Sequence, residues 1–156
     1  MQTQMSQGPW WAALTVWGVV NSVCLLQTAG FLSRIRTRSM SVNHRLGYVM
    51  IALSVPAALT LVTFVRAGAD WRQWIGPATY LAFVALEIVV DYVFPIEFRS
   101  PRRNGILVPY LVLFFGSIFL MGLPMFRLDR GLWLVTVAST TLLLASMVLA
   151  MRKGVG

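Results

Sequence analysis

At 156 residues the chain has room for one domain. Hydrophobic residues make up 58% and charged residues 12%, against roughly 25% charged in soluble domains, and the mean hydropathy is +0.74. These values exclude a disordered chain and an ordinary nucleic-acid-binding domain. A disulfide-stapled module is excluded too, since Cys24 is the single cysteine. The net charge of +8 reads as an orientation signal in a membrane protein rather than as the mark of a polyanion partner.

A helix crosses the hydrocarbon layer with about 20 mainly apolar residues. The first predicted span, 9–32, follows a start without lysine or arginine. Its apolar run is too long for a signal sequence, so no cleavable leader is expected. Arg34, Arg36, Arg38, His44 and Arg45 then read as a basic loop. The second span, 46–65, is followed by a turn with Arg66, Asp70 and Arg72, and the third is predicted over 74–94. Arg99, Arg102 and Arg103 precede the fourth, 106–126; the fifth, 131–151, ends at Arg152 and Lys153. Membrane helices tolerate lone prolines, so Pro56, Pro109 and Pro124 are not expected to break spans.

Alternating spans put nine of the thirteen basic residues on one side. The positive-inside rule then predicts an external amino terminus and a cytoplasmic carboxyl terminus. The expected fold is all-α: a single domain over 1–156, built as a bundle of five transmembrane helices in a plasma (inner) membrane of prokaryotic type. Trp10, Trp11, Trp71, Trp74 and Trp133 fall at the outer ends and Tyr48, Tyr92 and Tyr110 at the inner ends. Such an aromatic belt suits rings with one polar edge. With no loop much longer than a dozen residues, any chemistry belongs inside the bundle or at its rim.

Spans two and three and spans four and five form hairpins with similar features. Both begin with base-x-Gly (Arg45 to Gly47, Arg103 to Gly105), and both outer turns carry Arg, Gly, Asp and Trp. Convergent interface chemistry accounts for this better than a repeat, because the hairpin lengths differ by roughly a helical turn. Gly18 with Ser22, Ser54 with Ala58, Ala78 with Ala82 and Thr141 with Ala145 are small-residue pairs suited to close helix packing, equally within the monomer or in an oligomer.

Two of the five acidic residues lie in the third span. Glu87 and Asp91 are four apart, hence on one helical face, with Tyr80 further along it. At about 1.5 Å per residue from Trp74, Glu87 lies about 20 Å deep and Asp91 about 25 Å. Asn21 and Gln27 in the first span fall at similar depths, so a polar layer between spans one and three is expected. An ionised aspartate at mid-bilayer costs about 2.5–3.5 kcal/mol on the insertion scale, so such groups turn inward and pair, or bind a proton.

Three readings of the pair stand open. In the structural one, Asp91 pairs with Arg45 or Arg99 at the inner rim and Glu87 bonds Asn21. In the second, Glu87 is a proton or cation site with Asp91 as inner relay. In the third, the two carboxylates act as acid and base on a lipid, helped by Tyr92 or Tyr110.

No cofactor and no metal site is expected. One Cys and one His leave no usual zinc site and no paired haem ligands, and no phosphate loop or nucleophile elbow occurs. Five spans in about 150 residues also occur in the tryptophan-rich sensory proteins and the sterol isomerases. The Trp-Pro pairing of the first is not visible, and the second need a histidine inside the bundle, whereas His44 reads as a loop residue. No family is therefore assigned.

The leading expectation is a non-enzymatic integral membrane protein that binds or transports a small solute, ion or lipid, with Glu87 as its central polar group. Its ligand-binding candidates are Glu87, Asp91, Asn21 and Tyr80, and Arg45 and Arg99 are candidate ion-pair partners. Membrane lipids are its expected partners, with a homo-oligomer or membrane-complex partner also open, and no nucleic acid. An accessory subunit of a larger complex is the alternative, and an intramembrane lipid-modifying enzyme the third reading.

Overall fold

The computed structural model describes residues 8–38, 41–94, 96 and 103–154. Among them every regular element is helical. An apolar layer favours this, because a helix satisfies its own backbone N–H and C=O groups where water is absent. The elements are α1 (Trp10–Thr37), α2 (Ser41–Ala52), α3 (Ser54–Arg66), α4 (Trp71–Glu87), α5 (Asn104–Gly122), α6 (Met125–Leu128) and α7 (Arg130–Arg152). A π-helical segment, Ile88–Val93, continues α4. Together they provide five helices long and apolar enough to cross a membrane: Trp10–Thr37, His44–Arg66, Trp71–Val93, Asn104–Leu128 and Arg130–Arg152.

The basic segment after the first span is shorter than its sequence suggests. α1 carries Arg34 and Arg36 in its last turn and ends where Arg38 adopts a left-handed φ of 53°. Cations there complement the helix dipole, and the Arg34 guanidinium lies 5.4 Å from the centroid of the Phe31 ring. His44 and Arg45 are likewise helical, in α2, and not in a loop. The helices thus run past the apolar layer, with long cationic side chains able to reach the interface.

As expected, the spans His44–Arg66 and Asn104–Leu128 continue through Pro56 and Pro124, although each proline interrupts the helical hydrogen bonding locally. Within the second span α2 gives way to α3 at Leu53. Pro56 has no N–H for the Ala52 carbonyl and would crowd the turn before it, but it fits the first turn of a new helix. Pro124 separates α5 from α6 in the same way. Pro77 and Pro109 lie inside α4 and α5.

Contacts between helices fix their directions. Trp17 meets Leu132, Asn21 meets Thr136 and Cys24 meets Thr140, so α1 and α7 run parallel. Tyr80 bonds Met50, while the position of Gly47 borders Glu87 and Tyr92, so α2 and α4 are antiparallel. α4 and α5 are antiparallel as well, with the Phe83 ring 5.2 Å from that of Phe114. The bundle therefore has a tryptophan-rich end and an arginine-rich end. α1 packs on α2, α3, α5 and α7, and the core lies along Val16, Val20, Tyr80, Phe83, Phe114 and Met121.

At Gly76 the backbones of α4 and α5 approach closely. A Cβ on Gly76 would stand 2.7 Å from the Met121 nitrogen and 2.8 Å from the Leu120 carbonyl carbon. The small-residue pair on the last span does not pack within the bundle. Thr141 and Ala145 are exposed, and α7 buries Thr136, Ser139, Leu143, Ser146 and Ala150 instead. Outward hydroxyls suit lipid: Thr15, Thr63 and Thr141 each donate to the carbonyl four residues back, at 2.9, 2.8 and 2.8 Å. No donor is left facing the hydrocarbon at these positions.

The similarity of the two hairpin turns has a local cause. Asp70 accepts from the N–H of Arg72 at 2.8 Å, and Asp129 from that of Leu132 at 2.9 Å. Each caps the helix that follows, α4 or α7. The paired glycines differ: Gly47 is tightly enclosed, whereas Gly105 has open space around it. Of the tryptophans, Trp10, Trp11 and Trp71 are exposed, while Trp74 and Trp133 pack on the core.

Candidate functional site

Glu87 is the last residue of α4 and is 5% exposed. The face that buries it is apolar and aromatic: Tyr80, Phe83 and Val84 precede it at helical spacing, all buried. Beyond it the backbone widens into the π-helical segment, where Phe94 N–H donates to the Val89 carbonyl at 2.9 Å. Such segments are rare and often mark functional positions. The change of pitch also alters the expected pairing of Glu87 with Asp91. Val90 takes the next buried position, and Asp91 is only half-buried.

α2 closes over this carboxylate at a glycine. A Cβ on Gly47 would overlap the Tyr92 hydroxyl and stand 3.6 Å from Glu87 Oε1. The missing side chain thus leaves a point that Tyr92 and Glu87 both border. Tyr92 donates to the His44 carbonyl at 3.3 Å. Its ring lies 4.9 Å from that of His44 and 5.2 Å from that of Tyr48. His44 and Tyr48 meet edge to face at 5.3 Å, with the Tyr48 hydroxyl 3.5 Å from Nε2 of His44. Three rings therefore cap the arginine-rich end over Glu87.

Tyr80 lies two turns along α4 from Glu87 and is fully buried. Its hydroxyl donates to the Met50 carbonyl at 2.7 Å, near the break between α2 and α3. Gln27 reaches the same residue, with Nε2 at 2.9 Å from Met50 Sδ. At this depth Gln27 on α1 and Tyr80 on α4 thus meet the same residue, Met50, on α2. Arg45 is exposed on α2; Arg99 lies outside the described residues.

Asn21 belongs to a different seam. It donates to the Trp17 carbonyl at 2.8 Å and to Thr136 at 3.2 Å, and it accepts from Ser139 at 2.7 Å. Both amide hydrogens and the oxygen are engaged, so the expected bond to Glu87 is replaced by a tie to α7. His44, Gly47 and Tyr48 escaped the sequence reading as site residues. The signal was present in the i, i+4 spacing of His44 and Tyr48, but it is visible only if the helix begins before His44.

Chemically, the cluster offers a carboxylate in a low-dielectric setting, bordered by the Tyr92 phenol and capped by aromatic rings. Such a group can take up a proton or a small cation. The chain matches no family model, no curated protein and no solved structure.

Proposed function

We propose that this membrane protein binds or passes a proton or small cation in the arginine-rich half of its bundle, with Glu87 as the central group. The observation that carries the reading is a carboxylate 5% exposed within a spanning helix, beside Tyr92 and Gly47. A carboxylate held there gains when its charge is neutralised by a proton or a bound cation. Tyr80 would hold the inner wall of the site and Asp91 would stand on its rim side. In this reading the amino terminus is outside, the arginine-rich end is cytoplasmic, and the membrane is a plasma membrane.

The test is uptake by proteoliposomes carrying a trapped pH dye, with sodium, potassium and protons offered in turn. Glu87→Gln keeps size and removes the charge, and it should abolish uptake while leaving thermal unfolding nearly unchanged. Uptake that survives this substitution would overturn the proposal.

One observation favours an accessory subunit as the second reading. Gly18 and Ser22 form a half-exposed small-residue face on α1, with open space above Gly18. Native mass spectrometry of gently extracted protein separates the two readings. A stoichiometric partner supports the accessory role, and a monomer retaining a small ligand supports the binding role.

A further inference from the structure

We propose that the outward groove between α1 and α7 holds an anionic phospholipid, its phosphate seated between Arg36 and Lys153 at the arginine-rich rim. The inference is independent of the role of Glu87.

The groove follows from helix register. α1 and α7 run parallel, and the partners that meet along their seam stand 115 to 118 positions apart. Leu25, Leu32 and Arg36 on α1 each stand 117 positions from Leu142, Leu149 and Lys153 respectively. The two sets therefore lie level. Steps of seven and four residues keep each set on one stripe of its helix, about a quarter turn round from the seam. All six residues are exposed. On the opposite flank of the seam, Val16 and Val20 of α1 are buried, and Trp133, Thr140 and Met147 of α7 are half-buried. That flank faces the bundle, so both leucine stripes face outward and border one groove.

Charge selects an anion for the end of this groove. Because α1 and α7 are parallel, both carboxyl-terminal ends lie at the same rim, and their dipoles supply together about one negative charge. Arg36, Arg38, Arg152 and Lys153 are exposed there, and neither helix contains an aspartate or glutamate. Four cations against about one dipolar charge leave a positive surplus that a phosphate offsets.

Length selects a lipid rather than a free ion. From Arg36 to Leu25 the stripe runs about 16 Å at about 1.5 Å per residue, close to the roughly 15 Å of one hydrocarbon leaflet. The leucines thus offer an apolar wall as long as an acyl chain, directly below the cations. A second copy of the chain inserted in the same direction would bring its own cations to this rim, and like charges would oppose it.

Native mass spectrometry of the full chain in a mild detergent tests this with dioleoylphosphatidylglycerol and dioleoylphosphatidylcholine, which share acyl chains and differ in headgroup charge. Wild type should retain the anionic lipid in preference. Arg36→Gln combined with Lys153→Gln should weaken that retention about thirtyfold, the product of two cations near the bilayer surface. Arg66→Gln combined with Arg72→Gln, exposed at the opposite end, should leave it unchanged. Inorganic phosphate in large excess should not displace the lipid.

Equal retention of the two lipids overturns the proposal, and so does equal loss in the two double variants. Displacement by inorganic phosphate would make the rim a plain anion site and sink the lipid. A protein partner recovered on this face in place of lipid would do the same.

Discussion

Ser139 donates its hydroxyl to Oδ1 of Asn21 across 2.7 Å, and this bond fastens α7 to α1 inside the apolar layer. Trp17 and Cys24 extend the seam on either side, Trp17 donating to the Leu132 carbonyl at 2.9 Å and the Cys24 sulfur lying 3.7 Å from the Thr140 hydroxyl. Hydrogen bonds between membrane helices are modest individually. Here they also fix which face of α7 is turned inward.

Asn21→Leu should therefore destabilise the fold by about 1 kcal/mol, near the upper part of the range for such bonds. The loss is limited because Thr136 and Ser139 keep backbone acceptors of their own, the Leu132 and Thr136 carbonyls at 3.3 and 3.0 Å. Steric-trap unfolding in bicelles measures it. A loss above about 3 kcal/mol would mean that Asn21 holds more than this seam.

Gly76→Ala should cost about 1–3 kcal/mol, the usual range for overpacking. Its new Cβ would meet the backbone of Leu120 and Met121, which cannot turn aside as a side chain can. Gly116→Ala, with nothing within 4 Å of the added carbon, should be neutral or slightly stabilising. Thermal melts of the two variants in one detergent give the contrast, and equal melting temperatures would contradict the α4–α5 packing.

Asp70→Ala and Asp129→Ala should each cost about 1 kcal/mol, as loss of an N-cap does. Asp70→Asn and Asp129→Asn should keep most of that stability, since the amide oxygen can accept the same N–H bond. The comparison separates capping from charge, because a purely electrostatic role would make Asn as harmful as Ala.

Tyr80→Phe should destabilise by about 1–2 kcal/mol, the ordinary value for a buried hydrogen bond whose acceptor is left behind. The ring stays in place, but the Met50 carbonyl loses its 2.7 Å partner beside the α2–α3 break. Amide exchange around Leu53 should quicken in the same variant. Unchanged exchange there would show that the bond does not brace the break.

Much of this architecture was legible because hydrocarbon imposes a length. Each span needs about 20 apolar residues, and the run 106–121 fits no other reading. The helix ends were less legible. Arg34, Arg36, His44 and Arg45 read as a loop because they are charged or polar, yet they sit in α1 and α2. Helices extend beyond the hydrocarbon when their cations can reach the interface, and composition does not register that extension.

The candidate site was half legible. Glu87 stood out because a carboxylate is rare at that depth, and its burial agrees with that reading. Gly47 could not be singled out, because its importance lies in how closely Tyr92 and Glu87 approach it. Asn21 was recognisable as polar and deep, but its partners are 115 and 118 positions away on α7.

The sequence by itself determined the number and rough placement of the spans and the asymmetry of basic charge between the two ends. Each follows from a local rule about apolar length or charge. Tertiary structure alone decided which faces turn inward, which helix Asn21 holds, and what covers Glu87. The physical reason is that lipid and protein core are both apolar. Hydrophobic periodicity, which points inward in a soluble helix, carries little direction in a membrane one, and only packing between helices supplies it.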